Sequence, residues 1–299
     1  MTRKKMFYMF AVCLALPLLT VATYEFKTIN PFSSVDTSAR GINDAGDVVG
    51  DFADATLATA GRESGFLRHN GKYTKINFPG ALDTDANGIS DSGDIVGTYD
   101  LGSGDHGYVL KHGKYKALPD PTNQDGFPDF NAINDEGDIV GVLTPTPALP
   151  SRGNRGFLLD DGHYTLIDCG HDQTEANGIN DDGDIVGECT DFTPTYAEHG
   201  FLLRDGKFYL IDAPGAACDG TLATGISEKG DITGTFNDAN CHSHGFVLKG
   251  FPKNPKWTTV DAPGATDTKV AGINEHCDVV GTATTGGSND NNTGFKAEK

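Results

Sequence analysis

Carboxylates at close, recurring spacing are the residues of this chain best suited to chemistry. The string Asn180-Asp181-Asp182-Gly183-Asp184 has counterparts in which Asp44, Gly46 and Asp47, then Asp91, Gly93 and Asp94, then Asp135, Gly137 and Asp138 hold the same places. Two acids about one glycine could ligate a hard cation, so calcium at Asp181, Asp184 and the equivalent turns is one reading. A calcium loop, however, supplies oxygens at several alternate positions plus a bidentate acid, and this turn offers less. A turn-stabilising role comes first: an aspartate can accept from backbone N–H groups two residues on, and glycine takes the positive φ of a tight hairpin. The last copy, Glu275-His276-Cys277-Asp278, replaces both the leading aspartate and the glycine, so it could not bind in the same way. On this reading no cofactor is required.

Other reactive side chains give no catalytic assignment. Cys241-His242-Ser243-His244 has the residue types of a metal site, but His244 occupies the same repeat position as His106 and His199, where opening a strand is the more economical role. There is no Gly-x-Ser-x-Gly, no His-Glu-x-x-His and no phosphate loop. A two-carboxylate glycosidase pair cannot be picked from 42 acidic residues by sequence. Arg40, Arg62, Arg68, Arg152, Arg155 and Arg204 fall at unrelated repeat positions, which excludes a sialidase-like arginine clamp.

The elements that must position these groups begin after an N-terminal leader. Arg3, Lys4 and Lys5 precede an uncharged apolar run over 6–22, with Thr20 and Ala22 as small residues for cleavage, which predicts a secretory signal peptide over 1–22. The run is short for a bilayer span and has no second apolar segment behind it. Residues 1–22 carry three basic and no acidic residues, so their removal takes the formal charge from -19 to -22. Such a surface repels phosphate backbones and anionic headgroups, which excludes nucleic acid and bare membrane as partners and leaves neutral sugars, cations and basic proteins.

The remaining residues, 23–299, read as one domain of six repeats. The pattern Gly41-Ile42-Asn43-Asp44-Ala45-Gly46-Asp47-Val48-Val49-Gly50 recurs from Gly88, Ala132, Gly178, Gly225 and Gly272, at steps of 47, 44, 46, 47 and 47 residues. Such a period marks a propeller or a solenoid. A Gly-Phe motif (Gly65-Phe66, Gly107-Tyr108, Gly156-Phe157, Gly200-Phe201, Gly245-Phe246, Gly294-Phe295) and a Lys-Tyr type segment (Lys72-Tyr73, Lys207-Phe208) interleave with it. Each unit thus holds four short strand-like segments punctuated by Gly, Pro, Asn and Asp, the pattern of a four-stranded propeller blade. The first unit lacks its Gly-Phe strand and the chain ends on one, Gly294-Phe295-Lys296-Ala297. That offset predicts an all-β, six-bladed ring whose last blade is closed by N- and C-terminal strands, burying edges that a solenoid would leave open.

Export would permit disulfides. In repeat coordinates, Cys169 follows the second strand of a unit and Cys189 ends the fourth, at the same end of a meander. Cys218 and Cys241 stand in an equivalent relation one blade on. Both pairs are expected as bridges within a blade, each worth about 3 kcal/mol by the loop-entropy model. Cys277 is left odd.

The unit, with His106-Gly107-Tyr108, His199-Gly200-Phe201 or His244-Gly245-Phe246 at its opening and the Gly-Ile-Asn-Asp-x-Gly-Asp-Ile-Val-Gly string at its close, resembles the HAF-type extracellular repeat family of bacteria. The match covers essentially the whole of 23–299. The resemblance implies a secreted, propeller-like repeat protein and supplies no reaction. The hairpin is also similar to the Asp-box turn of sialidase-type propellers, which occurs in proteins of several functions.

Parity in a four-stranded meander places the short, similar turns on one face and the variable segments 51–64, 143–155 and 188–199 on the other. Phe192, Tyr196 and His199 mark the variable face as the candidate binding face, since a rigid scaffold presents ligands to its loops. The leading expectation is therefore a secreted or periplasmic, monomeric, non-enzymatic binding module for a glycan or protein at the bacterial cell surface. A secreted polysaccharide hydrolase or lyase using acids near the ring axis, and a structural extracellular protein, are the alternatives.

Overall fold

A computed structural model of the chain describes residues 20–21, 24–34, 36–53, 62–102, 104–121, 126–145, 153–192, 196–286 and 292–299. It is a six-bladed β-propeller of antiparallel sheets. The first blade runs from the axis outward through Thr37–Ile42, Val48–Ala53, Glu63–His69 and Lys72–Ile76. Blades three, four and five repeat this order with innermost strands Phe127–Ile133, Gln173–Ile179 and Thr221–Ile226. Blade two differs in splitting its innermost strand into Asp83–Thr84 and Gly88–Ile89. Blade six is completed from both ends of the chain: Glu25–Ile29 is its outermost strand and pairs antiparallel with Asn292–Glu298. The ring closure expected from the offset repeats is present, with Ile29 1% exposed in the adjoining core.

The repeats explain the packing. The aromatic of each Gly-Phe motif (Phe66, Tyr108, Phe157, Phe201, Phe246 and Phe295) is at most 4% exposed and centres a core on its blade. Each such burial is worth about 1.5–3 kcal/mol. A β-bulge in the innermost strand, as between Ala39 and Gly41 or Ala176 and Gly178, turns a carbonyl toward the second strand. There a Cβ on Gly50 would lie 1.9 Å from the Ser38 carbonyl oxygen, and one on Gly187 1.9 Å from that of Glu175. The glycine closing each repeat string thus accommodates a strand of its own blade. The Gly-Phe glycines instead face the neighbouring blade: a Cβ on Gly107 would sit 2.2 Å from the Phe130 ring of blade three.

The blade boundary also differs from the sequence unit. The Asp-turn strand, not the Gly-Phe strand, begins next to the axis, so 51–64, 143–155 and 188–199 lie within blades, and segments such as Pro79-Gly80-Ala81, Pro214-Gly215-Ala216 and Pro263-Gly264-Ala265 connect one blade to the next. Shifting the unit by two strands preserves parity. Those loops and connectors therefore share one end of the disc, the connector face, and the inner and outer hairpin turns share the turn face.

The signal-peptide expectation falls on residues of which the structure describes only Thr20 and Val21, paired parallel with Thr258 and Thr259 on the edge of blade five. No helix among the described residues is long and apolar enough to cross a membrane. Much of the variable loops, at 54–61, 146–152 and 193–195, likewise lies outside the described residues.

Candidate functional site

The six innermost strands surround the axis in rings of like residues. Arg40, Asn87, Asn131, Asn177, Thr224 and Ala271 form one ring, followed toward the turn face by the glycines (Ala132 in blade three) and then by six isoleucines. The glycine ring brings backbones together: a Cβ on Gly88 would be 2.8 Å from the Ala132 Cα, and one on Gly178 3.1 Å from that of Gly225. Asn131 Nδ2 donates to the Ala176 carbonyl at 3.0 Å, Asn177 Nδ2 to that of Ala223 at 3.2 Å, and Thr224 Oγ1 to that of Val270 at 2.7 Å, lacing each blade to the next. The axial cavity encloses about 80 Å³. A bound organic ligand needs roughly 300 Å³ or more. The axis is therefore too narrow for one, and organic ligands must be held at its mouths or on the faces.

At the turn face the mouth is ringed by Asp44, Asp91, Asp135, Asp181 and Glu228, and Glu275 holds the sixth position of the repeat. The sequence expectation had these aspartates cap their own hairpins. The structure gives that task to the preceding Asn or Ser: Asn43 Oδ1 accepts from the Asp47 N–H at 2.9 Å and Asn180 Oδ1 from that of Asp184 at 2.9 Å. The ring acids reach across blades instead. Asp91 Oδ1 accepts from the Asp44 N–H at 2.7 Å, Asp181 from that of Asp135 at 2.9 Å, and Asp44 from that of Glu275 at 2.8 Å. Crowding shows in Glu228, whose carboxyl is pushed up to about 7 by burial and by Asp181, Asp91 and Asp44.

In five of the six turns the second aspartate meets a basic side chain from the third strand. His69 Nδ1 is 2.8 Å from Asp47, Arg204 Nε is 2.7 Å from Asp184, Lys249 is 2.5 Å from Asp231 and Lys296 is 3.2 Å from Asp278, with Lys111 on Asp94 likewise. Asp181 and Asp184, the calcium candidates, thus hold an N–H and a guanidinium respectively. Gly46, Gly93, Gly137 and Gly183 take φ between +74° and +91°, and Cys277 holds +63° where its counterparts are glycine. Cys277 is buried and unpaired, and Lys249 Nζ lies 2.7 Å from its sulfur, a contact absent from any sequence motif because it joins two blades.

The connector face carries the other features. Cys169–Cys189 and Cys218–Cys241 are bonded as expected. Cys169 and Cys218 lie in connectors between blades, so each bridge staples a connector to the following blade instead of closing one blade on itself. The strand-opening histidines reach the connectors too: His106, His199 and His244 pair with Asp120, Asp212 and Asp261 at 3.0, 2.6 and 2.9 Å. Phe192 and Tyr196 come together, exposed, with ring centroids 6.1 Å apart. His199 does not join them; it points away from Glu198, the residue that the Tyr196 hydroxyl reaches. His171 and Asp172 stand beside this pair, with Asp172 Oδ2 accepting from the Phe192 N–H at 2.7 Å. They line a cleft of about 330 Å³ between blades three and four.

Above the axial mouth on this face stand acids that sequence reasoning did not single out. Arg40 bonds Asp51, and Asp51, Glu63 and Asp85 bring carboxylate oxygens within 4.8 Å of one another. Burial, with Asp51 beside it, pushes Asp85 up to about 7; burial, with Asp105 beside it, pushes Asp129 up to about 6. Glu188, 9% exposed and directly opposite Glu175 in the ladder, is pushed up to about 8 by burial and by Glu175 and Glu198. The signal lay in the repeat alignment, since these positions are acidic in some blades and neutral in others, but only the bulge shows that they face the axis.

No family model matches the chain, and no curated protein is significantly similar to it. Its fold defines it as a closed six-bladed propeller, and solved structures align with that fold over most of its length. A gluconolactonase from Xanthomonas campestris is 12% identical, with a TM-score of 0.54 over 93% of this chain and 91% of that one. TolB from Acinetobacter baumannii is 9% identical, with a TM-score of 0.52 over 91% of this chain and 65% of that one. The β-propeller domain of a trilobed protease from Pyrococcus furiosus, which has an open velcro topology, is 12% identical, with a TM-score of 0.50 over 88% of this chain and 81% of that one. At these identities the likeness is one of fold.

Proposed function

We propose that this propeller is a secreted or periplasmic binding module that engages a glycan or protein at the cell surface through its connector face. One observation carries the reading. Among the described residues eight large apolar side chains are exposed; Phe32, Leu82, Leu101, Phe127, Phe192 and Tyr196 lie on the connector face, and the other two, Leu166 and Leu210, lie on outer strands. Apolar groups gathered on one face of a rigid disc mark an interaction surface. Both disulfides brace that same face, as export permits. Its test is retention of residues 23–299 on a panel of insoluble polysaccharides, with the supernatant analysed for released sugars. Retention that Phe192→Ala with Tyr196→Ala abolishes supports the reading, and release of products refutes it.

A hydrolytic reading stands second, supported by the convergence of Asp51, Glu63 and Asp85 at the axial mouth beside Arg40 and by the likeness to a gluconolactonase. Product release lost in Asp85→Asn would establish it in place of the first.

A further inference from the structure

Blade four holds a group of acids that no ion pair among the described residues answers. Glu175, Glu188 and Glu198 share one face of its sheet at the connector end: Glu188 stands opposite Glu175 on one side and Gly200 on the other, and Glu198 lies two residues from Gly200. Glu188 is 9% exposed, and neither a cation nor a hydrogen-bond donor is among the groups acting on it. Among the described residues the charged groups next to this trio are Asp129 beside Glu175 and Asp219 beside Glu198, both acidic; the cation in this set, Arg40, acts on Asp129. Asn154 Nδ2 reaches Glu175 Oε1 at 2.5 Å, and the Tyr196 hydroxyl reaches Glu198. Among the described residues the carboxylate trio that closes within 4.8 Å is Asp51, Glu63 and Asp85, and the three glutamates of blade four do not come together as closely. A deeply set carboxyl left without a hydrogen bond or ion pair favours an external cation. The exposed Phe192–Tyr196 pair next to it suits an organic cation with an apolar stem.

Resting on the binding role of the connector face, we infer that this end of blade four docks a lysine side chain of a protein partner. Glu175, Glu188 and Glu198 receive its ammonium, and Phe192 and Tyr196 cover its methylenes. Lysine fits better than an amino sugar on charge. The Glu188 carboxyl, pushed up to about 8, ionises where a lysine is still protonated, its own pKa being about 10.4, whereas an amine titrating near 8 loses its charge over the same range. The net charge of -22 on 23–299 favours a basic partner at long range.

The test is fluorescence anisotropy of a labelled tetralysine peptide with residues 23–299 at about 0.15 M salt, where exposed surface charge is screened. Binding is expected to strengthen from pH 6 to pH 8.5 and to vanish for the Nε-acetylated peptide. Glu188→Gln should weaken it about tenfold, the loss of one charge-assisted hydrogen bond. Asp161→Asn, an exposed acid on the turn face, should leave it unchanged. A thermal melt of Glu188→Gln no lower than that of the parent shows that the site, not the fold, was altered. Equal affinity in Glu188→Gln, equal loss in Asp161→Asn, or a glucosamine oligomer binding as tightly as the peptide would overturn the inference. Retention on a neutral polysaccharide alongside any of these leaves the general binding role standing, so the two failures are separable.

Discussion

Five blades place a basic side chain against the aspartate that closes the inner hairpin, and blade three does not. At the position four residues after the Gly-Phe glycine, where His69, Lys111, Arg204 and Lys249 stand, blade three has Asp160. Asp138 therefore faces a second carboxyl, and burial, then Asp160, raises its pKa. Asp160→Lys should convert this repulsion into the ion pair of the other blades. Both side chains are partly solvated, so the gain is that of an exposed pair plus relief of one like-charge contact, about 1 kcal/mol in all. With an unfolding entropy of about 2.1 cal/mol/K per residue, a domain of this size should melt about 2 °C higher. The assay is differential scanning calorimetry at pH 7 and pH 3. A group whose folded pKa is raised contributes stability that is present below its unfolded pKa and lost as pH rises through the folded one. The parent therefore carries the penalty at pH 7 and not at pH 3, and the variant's advantage should disappear in acid. Asp138→Asn combined with Asp160→Lys should also remove it. An unchanged or lower melting point for Asp160→Lys at pH 7, or a gain that persists at pH 3, would refute the argument that the repeat positions form one energetic series.

Three further outcomes follow. Replacing Cys218 and Cys241 by serine opens a loop of 23 residues and should cost about 3 kcal/mol by the loop-entropy model, read as a melting point about 6 °C lower by calorimetry; peptide mapping should find the native bridges and a free Cys277. Gly187→Ala puts a Cβ 1.9 Å from the Glu175 carbonyl oxygen and should destabilise by about 3 kcal/mol or more in a denaturant titration, whereas Gly183→Ala, with nothing within 4 Å, should cost only the penalty of its positive φ, about 1–2 kcal/mol. Asp129, Asp85, Glu228 and Glu188, raised to about 6, 7, 7 and 8, bind protons more tightly folded than unfolded. Stability should therefore fall as pH rises from about 5 to 9, and a melting temperature flat over that range would contradict the burial of these carboxyls.

What could be read in the chain is what repetition displays. Blade number, four strands per blade, the closure of blade six by Glu25–Ile29 and both cysteine pairings follow from a period of 44 to 47 residues, because equivalent positions in a ring share an environment. What escaped reading is whatever depends on phase. Two phases of the unit have the same turns and the same parity, so sequence could not say that the Asp-turn strand is the axial one. Only that phase turns Asp44 and its counterparts into a ring bonding across blades, and Asp85, Asp129 and Glu175 into groups facing the axial mouth.

The same argument says where function should be sought. Residues that recur around the ring, such as the glycines that close each repeat string and the hairpin acids, are committed to packing the blades and closing the ring. A ligand that breaks the sixfold likeness must be met by residues that break it. Those are Arg40 with Asp51, Glu63 and Asp85 on blades one and two, and Glu188 with Phe192 and Tyr196 on blade four. Both groups lie on the connector face, the one that the disulfides brace. A ring of identical hairpins on the turn face can hold itself together without distinguishing one partner from another, and the connector face is where this propeller departs from its own symmetry.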